Sequence, residues 1–189
     1  ILAAQFFSSL ADNARLIAAI AVLIEMAAPE WMRPLLKLFF IISYVILAPF
    51  VGAIADSMAK GKVMFLTNNV KLFGCILFFF HVHPLLAYAV VGFGAASYSP
   101  AKYGILTELL PPEKLVVANS WIESATVISI LLGTLLGGLL INPSVSTYIL
   151  TTNISQILNL NKPSEAALLI ICLIYFTASI INIIIPKTG

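Results

Sequence analysis

The chain has 189 residues, of which 61% are hydrophobic and only 10% are charged, and its formal net charge is +2. Soluble domains carry about 25% charged residues and disordered chains lack apolar sequence on this scale, so the composition excludes both classes and indicates a membrane protein. The small net charge is dispersed, without a basic run that alternates with aromatic residues, which excludes a nucleic-acid-binding role.

Six segments of the chain are long and apolar enough to cross a membrane. A bilayer core about 30 Å thick requires about 20 apolar residues per helix. The predicted spans are residues 2–26, 35–57, 63–81, 84–107, 115–141 and 165–185. Lipid offers no partners for unpaired backbone groups, so the predicted fold is an all-α bundle of six transmembrane helices. The polar stretch 142–164 is the longest predicted loop, and part of it is expected to form a short interfacial helix.

The basic residues between the spans indicate the orientation in the membrane. One side carries Lys60, Lys62, Lys114 and Lys187, and the other carries Arg33, Lys37 and Lys162. Cytoplasmic connections are enriched in basic residues, which favours the first side as cytoplasmic. The chain starts at Ile1, already inside an apolar run, and we expect it to be part of a longer protein.

The first predicted helix carries polar residues on one face. Gln5, Ser8, Asp12 and Arg15 are spaced three, four and three residues apart, which places them in one stripe. A charge at the bilayer centre costs about 2.5–3.5 kcal/mol on insertion scales, so the stripe should face the bundle interior. Two interpretations are open: Asp12 and Arg15 form a neutralised pair, or Asp12 lines a cavity and binds a cation, a proton or a substrate head group.

The fourth predicted helix contains Ser99-Pro100, where a proline inside a span predicts a kink or a broken turn. Tyr98 and Lys102 are four residues apart and share a face of this helix. Lys102 either holds an anionic phosphate as a point charge or extends its ammonium group to the membrane interface.

One face of the fifth predicted helix carries polar and small residues: Asn119, Glu123, Thr126, Gly133 and Gly137. The spacing of the two glycines is typical of close helix packing in membranes. Glu123 is either a proton or ion site or the ion-pair partner of Lys71 or Lys102. Lys71 lies about one-third into the third helix, and we expect its side chain to extend to the interface.

The sequence contains no pattern for enzyme chemistry, for a metal site or for a bound cofactor. His81 and His83 flank a helix end beside Pro84, without further ligand residues nearby, and are interpreted as loop residues. Cys75 and Cys172 lie within apolar spans and lack metal-ligand spacing, so they are interpreted as small core residues.

The connection after the second span resembles the signature loop of the major facilitator superfamily. It reads GAIADSMAKGK and contains Gly52, Asp56, Lys60, Gly61 and Lys62. The second glycine follows the aspartate by five residues instead of three, and the usual arginine after it is missing. In that family the aspartate caps a helix and joins a charge relay that latches the two halves of the carrier, and the resemblance implies this conformational-latch role here.

The fifth span adds to this resemblance. Its segment SILLGTLLGG is similar to the glycine-rich fifth-helix motif of the superfamily, with Gly-Thr in place of the usual Gly-Pro. The resemblance implies that Gly133, Gly137 and Gly138 are helix-packing residues.

Several shorter strings resemble the bacterial lysophospholipid transporter family. They are ADNA at 11–14, APFVG at 48–52, ADS at 55–57 and YSPAKYGIL at 98–106. The resemblance implies a twelve-helix carrier, of which this chain is the N-terminal six-helix half, with the C-terminal half absent. It also implies inward movement of lysophosphatidylethanolamine and related lysolipids across the bacterial inner membrane for reacylation, beside an acyltransferase–acyl carrier protein synthetase. Asp12 and Lys102 would be polar cavity residues, with Asp12 linked to a coupling cation, sodium or a proton. Arg15 stands where that family has an apolar residue.

The predicted substrate-binding residues are Asp12, Arg15, Tyr98, Lys102, Asn119 and Glu123. Asp12 could bind the ammonium of an ethanolamine head group and Lys102 its phosphate, as opposite charges in a cavity of low dielectric constant. Asp12 and Lys102 would then face each other across this cavity. Two alternatives are open: a proton-coupled drug or metabolite exporter with Asp12 and Glu123 as relay acids, and a non-transporting scaffold for a lipid-modifying enzyme, in which the charges are locked pairs.

Overall fold

The computed structural model describes residues 1–185, and within this range the chain forms helices joined by short connections. The helices are α1 (Leu2–Glu25), α2 (Met32–Leu47), α3 (Val51–Asp56), α4 (Lys60–Ile76), α5 (Pro84–Leu109), α6 (Pro112–Ile141), α7 (Pro143–Leu150), α8 (Asn153–Ile157) and α9 (Pro163–Ile183). Lys187, which was counted for the predicted orientation, lies outside the described range. Among the described helices, α1, α6 and α9 are each long and apolar enough to cross a membrane alone.

Helices α2, α4 and α5 are not in this group, because they are either too short or less apolar. Helices α2 and α4 have 16 and 17 residues, just below and at the lower limit of the roughly 17–25 residues that cross a bilayer core. Helix α5 has 26 residues, but its prolines, tyrosines, serines and two charged residues lower its mean hydropathy.

The second predicted span is divided in the structure, because α2 ends at Leu47 and α3 begins at Val51. Proline has no N–H group to donate, and its ring clashes with the carbonyl four residues earlier. At Pro49 the helix therefore ends, and the next amide, Phe50 N–H, donates to the Leu47 carbonyl at 2.7 Å in a tighter turn.

Of the kink or broken turn predicted at Pro100, the broken turn is not found, since α5 is helical from Pro84 to Leu109. Neighbouring helices hold α5 closely on two sides. A Cβ atom added at Gly92 would lie 2.8 Å from the Phe40 carbonyl oxygen of α2, and one at Gly94 would lie 2.7 Å from the Thr67 carbonyl oxygen of α4. Such packing allows a membrane helix to continue through a proline.

The predicted loop at 142–164 contains two short helices instead of one. Both start at side-chain caps, which satisfy the first free amide groups of a helix. The Asn142 carboxamide oxygen accepts from Ser144 N–H at 3.1 Å at the start of α7, and the Thr152 hydroxyl accepts from Ser155 N–H at 3.4 Å at the start of α8.

The bundle has two groups of three packed helices. Helix α1 packs between α6 and α9, helix α5 packs between α2 and α4, and α4 also contacts α9. The contact of α1 with α6 is close at two glycines. A Cβ atom at Gly133 would lie 2.6 Å from the Leu10 carbonyl oxygen, and one at Gly137 would lie 2.8 Å from the Ala14 carbonyl oxygen.

Gly138 was predicted to pack in the same way, but it makes no such contact among the described residues. A Cβ atom there would meet no described atom within 4 Å. Successive residues on a helix are about 100° apart, so the residue after Gly137 points away from α1.

Two apolar cores occupy opposite ends of the bundle. The larger core includes Leu23, Leu36, Val91, Leu168 and Ile171. The smaller core lies at the end that carries Lys60 and includes Val63, Met64, Tyr98, Ile105 and Ile185. In α1, α4, α5 and α9 the residues between the two cores include buried polar side chains. The fold therefore places a polar layer between two apolar ones.

A carboxylate of α1 caps α9. Ser164, in the first turn of α9, donates its N–H to Glu25 at 3.0 Å, and its hydroxyl donates to the same carboxylate. We expect Glu25→Ala to lower the free energy of unfolding by about 1 kcal/mol, as removal of a cap does in soluble proteins. Denaturant unfolding of the full-length protein in detergent measures this. Glu30→Ala is the matched control, because Glu30 is exposed beside Arg33; equal losses in both variants would contradict the capping role.

Candidate functional site

The polar layer contains many buried polar side chains, which packing of an apolar core does not need. The buried polar side chains of this layer and of its borders with the two cores are Gln5, Ser8, Arg15, Thr67, Asn68, Lys71, Ser97, Lys102, Ser179 and Asn182. Buried polar groups need hydrogen-bond partners and buried charges need counter-charges, so the partners of these residues define the site.

Asp12 lies at the centre of this layer and accepts hydrogen bonds at both carboxylate oxygens. The Lys71 ammonium of α4 contacts Asp12 Oδ2 at 2.8 Å, and the Tyr175 hydroxyl of α9 donates to Asp12 Oδ1 at 2.6 Å. Lys71 also donates to the Ser8 hydroxyl at 2.9 Å, which in turn donates to the Asn68 carboxamide oxygen at 2.8 Å. We call Asp12, Lys71, Tyr175 and Arg15 the central charge cluster.

Arg15 lies one turn after Asp12 on α1, and its residue exposure is 0%. Its Nε–H donates to the Tyr175 hydroxyl at 3.1 Å. The guanidinium carbon lies 4.0 Å from the centre of the Tyr88 ring and 6.0 Å from that of the Phe40 ring, which are cation–π distances. Tyr175 thus bridges Asp12 and Arg15.

The interpretation of Asp12 and Arg15 as a direct ion pair is wrong, because the cation in salt-bridge contact with Asp12 is Lys71. The expectation that Lys71 extends to the membrane interface is also wrong, since its side chain is only 2% exposed. Helix α4 packs against α5 and α9, and this packing turns the Lys71 face toward α1.

A second charge pair lies between α5 and α6. The Lys102 ammonium is 3.8 Å from Glu123 Oε1, and the Tyr103 hydroxyl donates to the same carboxylate. Glu123 was expected to pair with Lys71 or Lys102, and in the structure it pairs with Lys102. The Lys102 side chain is 7% exposed, whereas that of Glu123 is 54% exposed, so Lys102 does not extend to the interface and the pair is open on the Glu123 side.

A cavity of about 230 Å³ opens beside the central charge cluster. Its walls are formed by Ser9, Asp12, Asn13, Arg15, Leu16, Lys37, Phe40, Tyr88 and Ile130. Lys102 is not among these residues, so this cavity does not bring Lys102 opposite Asp12. The two cations belong to different ion pairs, because Lys71 of α4 contacts Asp12 of α1 and Lys102 of α5 contacts Glu123 of α6.

The remaining predicted site residues take different positions. Tyr98 is buried, with the Lys71 ammonium 4.8 Å from its ring centre, so it connects to the central charge cluster. Asn119 is exposed on α6, one turn before Glu123. The predicted stripe on α1 does face the interior: Gln5 donates to the Thr126 hydroxyl of α6 at 2.8 Å.

The predicted latch loop forms a charge cluster at the Lys60 end of the bundle. The Lys60 ammonium contacts Asp56, donates to the Ala55 carbonyl at 2.9 Å and lies 3.7 Å from Glu108 at the end of α5. Asp56 does not cap α4, because that helix starts after Ala59 without a side-chain cap bond; the carboxylate is held by Lys60 instead.

The other residues of this loop differ in their surroundings. A Cβ atom at Gly61 would lie 3.2 Å from the Ile185 side chain, while one at Gly52 would meet no described atom within 4 Å. Lys62 is exposed. Of these three residues, Gly61 is held at a close contact, with the segment that follows α9.

Five residues of these clusters were not among the predicted site residues: Lys71, expected only at the interface or as a partner of Glu123, and Tyr175, Asn68, Tyr88 and Glu108. Lys71 and Asn68 belong to the polar run TNNVK at 67–71, and their spacing of three places them on one helix face, which is a usable signal. Tyr175 is a single aromatic hydroxyl in an apolar span, where sequence offers no indication of its two charged partners.

Comparison with known proteins extends these observations. The family model of the Major Facilitator Superfamily matches residues 2–187. The chain is 42% identical over 187 residues to proteins named "Lysophospholipid transporter LplT" from Yersinia pestis (strain Pestoides F) and Yersinia pseudotuberculosis serotype O:3 (strain YPIII). This alignment covers 99% of the chain and 41% of each relative, so the chain spans about two-fifths of the length of these curated relatives. The family model matches nearly the whole chain, and the structure has several helices that can cross a membrane. The chain therefore belongs to the Major Facilitator Superfamily.

Proposed function

We propose that the protein containing this chain transports lysophospholipids, among them lysophosphatidylethanolamine, to the cytoplasmic leaflet of the bacterial inner membrane by alternating access. The observation that carries the proposal is the central charge cluster, in which Arg15, Lys71 and Tyr175 are buried, and which adjoins the larger apolar core and a cavity. A lysolipid combines a charged head group with one acyl tail, so its carrier needs a polar pocket within apolar surroundings. The names of the Yersinia relatives support the same substrate class.

The proposal uses the predicted site residues in modified roles. Asp12 is available to a head-group ammonium only in competition with Lys71 and Tyr175, which hold both of its oxygens. Lys102 and Glu123 form a second polar position near α6, with Tyr98 and Asn119 beside the two positions. Coupling to a sodium or proton gradient belongs to the proposal, and a coupling cation at Asp12 has to displace Lys71. Reacylation by a neighbouring acyltransferase–acyl carrier protein synthetase is the proposed fate of the substrate.

Uptake of radiolabelled lysophosphatidylethanolamine by vesicles that contain the full-length protein tests the proposal, with sodium and proton gradients varied separately. We expect Asp12→Asn/Lys71→Met, which removes both charges of one pair, to lower the uptake rate roughly tenfold or more, because charge-assisted contacts contribute about 1.5–3 kcal/mol each. Lys102→Gln should lower it similarly. Lys114→Gln is the matched control, since Lys114 is exposed at the start of α6.

The same assay separates the proposal from the two alternatives. A scaffold for a lipid enzyme tolerates the neutral Asp12/Lys71 double substitution and takes up no lysolipid. A proton-coupled exporter loses all transport when the proton gradient is dissipated and shows no lysolipid uptake in the wild type. Wild-type uptake that persists unchanged in both variants would contradict the assigned site.

A further inference from the structure

Arg15 has more hydrogen-bond donors than the structure satisfies. A guanidinium group carries five N–H donors and is always charged in proteins. Among the described residues, Arg15 has one hydrogen-bond acceptor, the Tyr175 hydroxyl at 3.1 Å from Nε. Nη1 and Nη2 are buried without a hydrogen-bond partner among the described residues. Burial of unsatisfied charged donors is costly, so these two nitrogens indicate a missing acceptor.

Asp12 does not supply this acceptor, because its two oxygens contact Lys71 and Tyr175 and neither terminal nitrogen of Arg15 reaches them. Counted by formal charge, Arg15 and Lys71 contribute two positive charges and Asp12 one negative charge. The central charge cluster therefore has an excess of one positive charge. Lys37, on the wall of the same cavity, adds a further cation. The missing partner is thus an anion.

The position of Arg15 suits a ligand that enters from the cavity. Arg15 is one of the residues that line the 230 Å³ space, together with Tyr88 and Phe40. The guanidinium lies over the Tyr88 ring at 4.0 Å, and Nε–H is fixed by Tyr175. These two contacts hold the planar group in one orientation and leave its two terminal nitrogens for a bidentate contact.

We propose that Arg15 forms a phosphate-binding subsite, in which Nη1 and Nη2 donate to two oxygens of one phosphate group. Arginine binds phosphate in this paired way with more strength and better-defined geometry than a lysine point charge. The phosphate belongs either to the head group of a lysolipid, which rests on the proposed function, or to a free phosphate ion. This assignment moves the phosphate contact from Lys102 to Arg15.

Binding to the purified full-length protein in detergent tests the subsite with three probes: lysophosphatidylethanolamine, inorganic phosphate and a monoacylglycerol with the same acyl tail but no phosphate. We expect Arg15→Gln and Arg15→Leu to weaken lysophosphatidylethanolamine binding roughly tenfold or more, with monoacylglycerol binding changed by less than about twofold. Arg15→Lys keeps the charge without the paired geometry and should be intermediate. Arg33→Gln is the matched control, as the other arginine of the chain lies at the surface beside Glu30.

Thermal unfolding separates a binding role from a structural one. Without ligand, Arg15→Leu should unfold at the same or a higher temperature than the wild type, because it removes a buried and unsatisfied charge. A phosphate ligand should raise the unfolding temperature of the wild type and leave that of Arg15→Leu unchanged. If Arg15→Leu unfolds at a lower temperature and no probe stabilises the wild type, Arg15 is a structural residue and the inference is overturned.

The probes also distinguish failure of the inference from failure of the proposed function. Equal lysophosphatidylethanolamine binding by wild type, Arg15→Gln and Arg15→Lys overturns the subsite and leaves the proposed function intact. Arg15-dependent binding of inorganic phosphate without any lysolipid binding supports the subsite, assigns it to a free ion and contradicts the proposed function.

Discussion

Asp12→Asn is expected to lower the free energy of unfolding by about 3–5 kcal/mol, the range for removing one partner of a buried ion pair. The carboxylate side chain is 20% exposed and that of Lys71 only 2%, so the charge left behind has little access to solvent. Arg15, fully buried one turn away, would then face Lys71 with no acid between them. Denaturant unfolding of the full-length protein in detergent measures the loss.

The companion variants make this prediction specific. Lys71→Met should be less harmful than Asp12→Asn, because Arg15 still offsets the charge of Asp12. Asp12→Asn/Lys71→Met should recover most of the loss, since it restores the formal charge excess of the native cluster. Lys114→Met, at an exposed lysine of α6, should change stability by less than about 0.5 kcal/mol. A double variant no more stable than Asp12→Asn would show that the two residues do not act as a pair.

The inward direction of the α1 stripe could be predicted from sequence because it depends on local geometry alone. Helical periodicity places Gln5, Ser8, Asp12 and Arg15 on one face, and the cost of charge in lipid turns that face inward. The ion-pair partner is a different kind of property. Lys71 is 59 residues from Asp12 and Tyr175 is 163 residues away, so their meeting depends on how α1, α4 and α9 pack, which periodicity does not contain.

The prolines within the spans show the same difference between what local sequence predicts and what tertiary packing decides. Both Pro49 and Pro100 lie within predicted helices, and each removes one backbone donor. The chain ends a helix at Pro49 and continues through Pro100, where Gly92 and Gly94 allow α2 and α4 to approach α5 closely. Sequence identifies the weak points of a membrane helix, whereas tertiary packing decides which of them becomes a break.

Gly133→Ala is expected to lower the free energy of unfolding by about 1–3 kcal/mol, as overpacking does in well-packed cores. The added Cβ atom would lie 2.6 Å from the Leu10 carbonyl oxygen and 3.0 Å from Asn13 Cβ. The first of these is backbone, so the clash is relieved only if α1 and α6 separate. Because Asn13 adjoins Asp12, we also expect slower lysophosphatidylethanolamine uptake, measured in the vesicle assay beside denaturant unfolding.

Gly138→Ala is the matched control for this variant, because it makes the same chemical change five residues later on α6. No described atom lies within 4 Å of a Cβ atom at Gly138. Alanine has a higher helix propensity than glycine by about 1 kcal/mol, so this variant should be as stable as the wild type or slightly more stable. Propensity acts equally at both positions, and the difference between the two variants therefore isolates the contact of α6 with α1. Equal stability of the two variants would show that the small residue at 133 is not needed for this contact.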